Sequence, residues 1–224
     1  MIPLRDRNPS STFPSVTLGL IVANVLVFAY EVQMGPAIRE FIARFALIPA
    51  EVRGSILYGT ATFATTVSPW FTSMFLHGGW LHLIGNMWFL WIFGDNVEDT
   101  LGSFRYLIFY LACGLGASVA HVLLMPSSSA PTLGASGAIA GILGAYAILF
   151  PGARIVTLVP VFFLQVIELP AMVVLGMWFI LQLFSGSFAL ASAVSGGTAW
   201  WAHIGGFLIG ALLISIVKPR NVTI

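Results

Sequence analysis

Chemistry in this chain begins at one hydroxyl and the few polar side chains that could reach it. Ser136 lies near the start of a Gly-rich apolar run, Gly134-Ala135-Ser136-Gly137-Ala138-Ile139-Ala140-Gly141-Ile142-Leu143-Gly144, and His203 lies in Trp200-Trp201-Ala202-His203-Ile204-Gly205-Gly206. His82 and Asn86 are four residues apart, so on a helix they share one face. A hydroxyl beside an imidazole is what nucleophilic catalysis needs, because serine is a weak nucleophile that requires a base within about 3 Å to take its proton. His203 is the candidate base, since a neutral imidazole can accept that proton. An orienting carboxylate is hard to supply, because Glu168 is the only acid between residues 100 and 224. The expected constellation is therefore a Ser136–His203 dyad. The Asn86 amide, His82 and the Ser136 backbone N–H are the candidate donors to a developing oxyanion, where one donor is worth about 3–4 kcal/mol in soluble enzymes.

Each residue also has a plainer reading. A lone serine in an apolar helix usually bonds back to its own backbone, Asn86 serves equally as interhelical glue, and His77 as a ring anchored at the interface. His121 has no evident partner and reads as buried structure, and Trp80, Trp88, Trp91, Trp200 and Trp201 read as interface anchors. What raises Ser136 and His203 above this background is their environment. Ionisable groups at membrane depth are expensive and mark function or a buried partner.

Composition sets that environment. Hydrophobic residues make up 58% of the 224 residues and charged residues 8%, against about 25% charged in soluble domains, and the mean hydropathy is +0.98. This is the composition of an integral membrane protein. The net charge of +1 is spread over scattered Lys and Arg, which argues against nucleic acid as a partner. The single cysteine, Cys113, excludes an internal disulfide, and no His-Glu-x-x-His occurs, so no metal is expected.

Six apolar stretches position the candidates: 16–30, 78–93, 104–125, 133–150, 171–188 and 199–217. Residues 1–15 read as a short cytoplasmic tail without a packing pattern, 16–217 as one membrane domain of all-α class, and 218–224 as a second cytoplasmic tail. Residues 31–75 form a long connection, with an amphipathic segment at Phe41, Ile42, Phe45, Ala46 and Ile48. The stretch 155–167 is short and contains Pro160, which fits an interfacial or re-entrant piece better than a crossing. Arg5, Arg7, Arg105, Arg154, Lys218 and Arg220 then fall on the side of the termini, and Arg39, Arg44 and Arg53 on the other. The positive-inside rule places the termini in the cytoplasm, in a multi-pass protein of the inner (plasma) membrane. On this topology spans two, four and six all start on the outer side, so their polar groups can meet. Small residues at 134, 137, 141 and 144, facing Gly206 and Gly210, allow the fourth and sixth spans to approach closely.

These residues resemble the rhomboid family of intramembrane serine proteases. The resemblance covers residues 16–217 and rests on His77 with His82 and Asn86, on Gly134-x-Ser136-Gly137 with Gly144, and on Ala202-His203-x-x-Gly206-x-x-x-Gly210. Val97-Glu98-Asp99 followed by Leu101-Gly102 is similar to the bacterial members. The resemblance implies Ser136 as nucleophile, His203 as general base, and His82, Asn86 and the Ser136 amide as the oxyanion hole. It also implies a six-helix core, an outward-opening cavity, and substrate access near span five and the loop before span six. Two features depart from the pattern. Where many members have a Trp-Arg pair, this chain reads Ser68-Pro69-Trp70-Phe71-Thr72-Ser73, and Ala140 stands where some carry a tyrosine that stacks on the histidine. The orientation of His203 must then come from elsewhere, with Trp201 or a residue of span five as candidates.

The expected function is cleavage of other membrane proteins in or near their transmembrane helices, without a cofactor, with the bilayer and transmembrane substrates as partners. Short ends offer no soluble recruitment domain, so specificity is expected to reside in the membrane core. Two rival readings are a silent relative that binds unstable membrane proteins, opposed by the retention of both Ser136 and His203, and a small transporter with His82 and His203 as a proton relay, opposed by the lack of carboxylates near them.

Overall fold

The computed structural model describes residues 1–160, 163–191 and 198–218. Arg220 with the remainder of the tail, and the loop at 192–197 ahead of the last span, lie outside the described residues. In chain order the elements are β1 (Ile2–Asp6), α1 (Ser15–Gln33), α2 (Ile38–Phe45), α3 (Pro49–Leu57), α4 (Pro69–Thr72), α5 (Trp80–Leu101), α6 (Ser103–Leu124), α7 (Ser136–Leu149), β2 (Arg154–Pro160), β3 (Leu164–Pro170), α8 (Ala171–Ala191) and α9 (Trp200–Val217).

Helices α1, α6, α8 and α9 are each long and apolar enough to cross a membrane. With α5 and α7 they form a six-helix bundle, a multi-pass helical membrane fold with one small sheet at its side. Helix α5 runs 22 residues, well past the expected end at 93, and so carries Asp95, Glu98 and Asp99 in its last two turns. These carboxylates persist on the helix because each has donors. The buried Glu98 accepts from the N–H groups of Val16 and Thr17 and from the hydroxyls of Thr17 and Ser103, which caps the start of α1. Asp99 accepts from the backbone of Ser11 and Thr12, and Asp95 from Ser10.

Residues 1–15 therefore do not behave as an unpacked tail. Beyond these bonds, β1 pairs antiparallel with β2, Trp88 donates its indole N–H to the Pro3 carbonyl, and Tyr146 donates to Asp6. The stretch expected as an interfacial or re-entrant piece is a β-hairpin, β2–β3, in a three-stranded sheet of order β1-β2-β3. Its Val, Ile and Thr content suits strands, and the two prolines stand at strand ends where a missing N–H is tolerated. The Arg7–Glu168 ion pair ties β3 back to the chain just beyond β1. In the long connection, the amphipathic segment is α2 up to Phe45, after which the backbone is extended and Leu47 forms an isolated bridge with Thr132.

Helix α7 is the axis of the bundle. It begins at Ser136, not at 133, because Gly134 has φ +120°, a conformation that L side chains rarely adopt, and donates its N–H to the Ser73 carbonyl. From Gly137 to Ala147 every residue is buried. Against α9 the contact is backbone on backbone. A Cβ built on Gly206 would strike the Gly137 carbonyl, one on Gly210 the Gly141 carbonyl, and one on Gly144 the Phe207 carbonyl. On the α6 side a Cβ on Gly137 would lie 2.7 Å from that of Ala117, and one on Gly141 would strike buried Cys113.

A side chain at the α7–α9 contact must push two backbones apart. Gly210→Val is expected to destabilise the protein by about 1–3 kcal/mol or to prevent folding, read as a fall in thermal unfolding midpoint in detergent. Tyr146→Phe removes a hydroxyl donor to a carboxylate, with an expected loss of about 1–2 kcal/mol in the same assay.

Candidate active site

The starts of α5, α7 and α9 converge, and each contributes a polar residue within its first two turns. Ser136 is the first residue of α7 and His203 the fourth of α9. The Gly contact below them sets their separation. His203 Nε2 lies 2.8 Å from Ser136 Oγ. The first-turn N–H groups of α7, that of Ser136 among them, have no acceptor within the helix, and the helix start favours negative charge.

His82 and Asn86 lie on the α5 face that meets Gly134. A Cβ at Gly134 would sit 2.7 Å from the His82 ring and 3.4 Å from Asn86 Nδ2. The glycine thus provides both the turn into α7 and the room for the His82 ring. Gly134 belongs to this wall of the site, whereas the other five glycines expected at the helix contact, Gly137, Gly141, Gly144, Gly206 and Gly210, lie within α7 and α9.

Asn86 has a partner that sequence spacing alone did not single out. Its Nδ2 is 3.0 Å from His77 Nε2, while His77 Nδ1 lies 3.2 Å from the Phe75 carbonyl. Burial, followed by the neighbouring His82 imidazole, pushes the His77 pKa down to about 4. A neutral His77 donating to Phe75 therefore presents a lone pair to the Asn86 amide and holds it in place. The Glu31 carboxylate accepts the His77 backbone N–H and anchors the turn.

The other imidazole nitrogen of His203 is also engaged. Its Nδ1 lies 2.7 Å from Gln182 Oε1 on α8, and the Trp178 ring, one turn earlier on α8, is 6.0 Å from the imidazole at 33°. Of the two expected orienters, it is the residue of span five that contacts the ring; Trp201 Nε1 has no hydrogen-bond partner among the described residues. Gln182 had a signal in sequence, since it is the one long polar side chain in an otherwise apolar span. His121 is buried on α6 with Nδ1 unpartnered among the described residues, and Glu168 lies in β3, bonded to Arg7.

Ser136, His203, His82 and Asn86 line a cavity of about 610 Å³ together with Ser73 and Ser118. A second space of about 210 Å³ runs between Leu81 and Phe89 of α5 and Trp178 and Gln182 of α8, and reaches the same four residues. A hydroxyl hydrogen-bonded to an imidazole, at a helix start and beside amide and imidazole donors, is equipped for acyl transfer.

The chain matches the family described as Rhomboid domain over residues 64–220. It is 46% identical over 74 residues to Rhomboid protease GluP of Bacillus subtilis (strain 168), which covers 33% of this chain and 14% of the relative. It is 32% identical over 149 residues to the mitochondrial presenilin-associated rhomboid-like protein of Mus musculus, covering 64% and 36%. With the chloroplastic Rhomboid-like protein 11 of Arabidopsis thaliana it shares 42% identity over 71 residues, covering 32% and 25%. The chain thus spans 14% to 36% of the length of these relatives. A family match that runs from the connection before α5 through α9 includes all the residues gathered around Ser136, and the chain belongs to the rhomboid family.

Proposed function

We propose that the protein is an intramembrane serine endopeptidase that hydrolyses peptide bonds in or near the transmembrane helices of other membrane proteins. The observation that carries this reading is the 2.8 Å contact between His203 Nε2 and Ser136 Oγ at the wall of a cavity. Ser136 Oγ attacks the scissile carbonyl carbon while His203 Nε2 takes its proton. The C–O bond forms, and the carbonyl electrons move to oxygen, where the Ser136 N–H, the Asn86 amide and His82 stabilise the oxyanion. Collapse breaks the C–N bond, and the imidazolium returns its proton to the departing amine. Water, deprotonated by His203, then hydrolyses the acyl-enzyme and regenerates Ser136. No cofactor takes part.

A neighbouring protease of the family supports the enzyme over a silent binding relative, and the presence of both Ser136 and His203 supports it further. The arrangement of basic residues supports a multi-pass protein of the inner membrane with cytoplasmic termini. Substrate helices hide their carbonyls in intrahelical hydrogen bonds, so cleavage falls where Gly, Pro or polar residues loosen the helix, with a small side chain before the cut.

Cleavage of a single-span substrate by purified protein in detergent tests the reading. Ser136→Ala and His203→Ala are each expected to abolish product, whereas equal product from all three proteins would overturn it. Asn86→Ala is expected to lower kcat by about 10²–10³-fold if its amide faces the oxyanion. A substrate whose loosened segment is replaced by leucines should resist; undiminished cutting would reject the proposed recognition.

A further inference from the structure

His203 is held at both ring nitrogens, and the second contact carries a consequence for the reaction. A neutral imidazole has one proton, on either Nδ1 or Nε2. An amide oxygen can only accept, so Gln182 Oε1 at 2.7 Å places that proton on Nδ1. The Nε2 lone pair then faces the Ser136 hydroxyl at 2.8 Å, as proton abstraction requires. With the amide reversed, its NH₂ would donate to Nδ1 and the proton would occupy Nε2, the nitrogen that has to receive one.

We propose that Gln182 is a positioning residue that fixes the tautomer and ring plane of His203, making the group around Ser136 a Ser-His-Gln triad. This inference rests on the reading of Ser136 as nucleophile and His203 as base. Among the described residues the partners of the His203 ring nitrogens are Gln182 and Ser136, not a carboxylate, and Glu168 is bonded to Arg7. Ala140 on α7 offers no ring to stack on the imidazole, whereas Trp178 and Gln182, four residues apart on α8, present a ring and an acceptor from one helix face. A neutral amide orients the imidazole as a carboxylate would, but stabilises the imidazolium less.

Two variants separate orientation from packing. Gln182→Met keeps the length of the side chain and removes the acceptor; Gln182→Glu keeps an acceptor. In the cleavage assay Gln182→Met is expected to lower kcat by about 10- to 100-fold with KM unchanged, less than the roughly 10⁴-fold carried by a triad carboxylate elsewhere. Gln182→Glu is expected to recover most of that loss. A Gln182→Met variant with the kcat of the wild type overturns the proposal.

A second measurement does not depend on turnover. Nitrogen-15 histidine spectra of the full protein, with the His203 signals identified by their absence in His203→Ala, should show the proton on Nδ1 in the wild type and a shift towards Nε2 in Gln182→Met. A proton on Nε2 in the wild type overturns the proposal even if the variant does not fold. A wild type that cleaves nothing defeats the peptidase reading alone, because the tautomer still decides the role of Gln182.

Discussion

The contact of two backbones, α7 against α9, is the constraint on which the remainder depends. Gly206 and Gly210 lie against the carbonyls of Gly137 and Gly141, and Gly144 against that of Phe207. In a lipid environment, helices gain little from burying apolar surface against one another, so close packing of small residues is what holds such a pair. The same contact sets the distance between Ser136 and His203. Ser136 sits one residue before Gly137, and His203 three before Gly206, so the approach of these glycines brings hydroxyl and imidazole within hydrogen-bonding range.

The polar groups at the two ends of α5 are tolerated because they are partnered, and the partnerships form two separate systems. Around Ser136 a chain of contacts links Phe75, His77 and Asn86 on one side and Gln182, His203 and Ser136 on the other. At the opposite end of α5 the carboxylates of Asp95, Glu98 and Asp99 take donors from residues 10–17 and Ser103. The first system contains no carboxylate side chain beyond Glu31, which binds a backbone N–H, and the second contains no imidazole. Imidazole contacts and charge anchoring are thereby kept towards opposite ends of α5.

Much of this was legible in the sequence because the signals were periodic or compositional. Apolar stretches gave six helices, the small residues gave the α7–α9 contact, and the depth of Ser136 and His203 followed from their distance to helix starts. What escaped depended on pairing at long range. The acidic end of α5 reads as a connection until its donors from residues 10–17 are known, and β1 has no amphipathic period to announce a partner 150 residues away. The hairpin was ambiguous because a short apolar run with a proline suits a strand, a re-entrant piece or a buried helix equally. His77 was legible as a histidine near the site but not as the partner of Asn86, since that bond depends on how the chain turns at 76–79.

The sheet also bears on biogenesis. Residues 2–6 leave the ribosome before any of the bundle helices, yet their pairing partner, 154–160, follows α7 and so appears only after four of the six have been made. Closing so long a loop carries an entropic cost, and contacts of such separation form late. Because β3 runs directly into α8, with the Ala171 N–H bonded to the Ala153 carbonyl, the sheet also sets where α8 begins. The helix that carries Gln182 therefore starts from a sheet whose first strand can pair only once β2 has been made, so one wall of the site depends on a contact between distant parts of the chain.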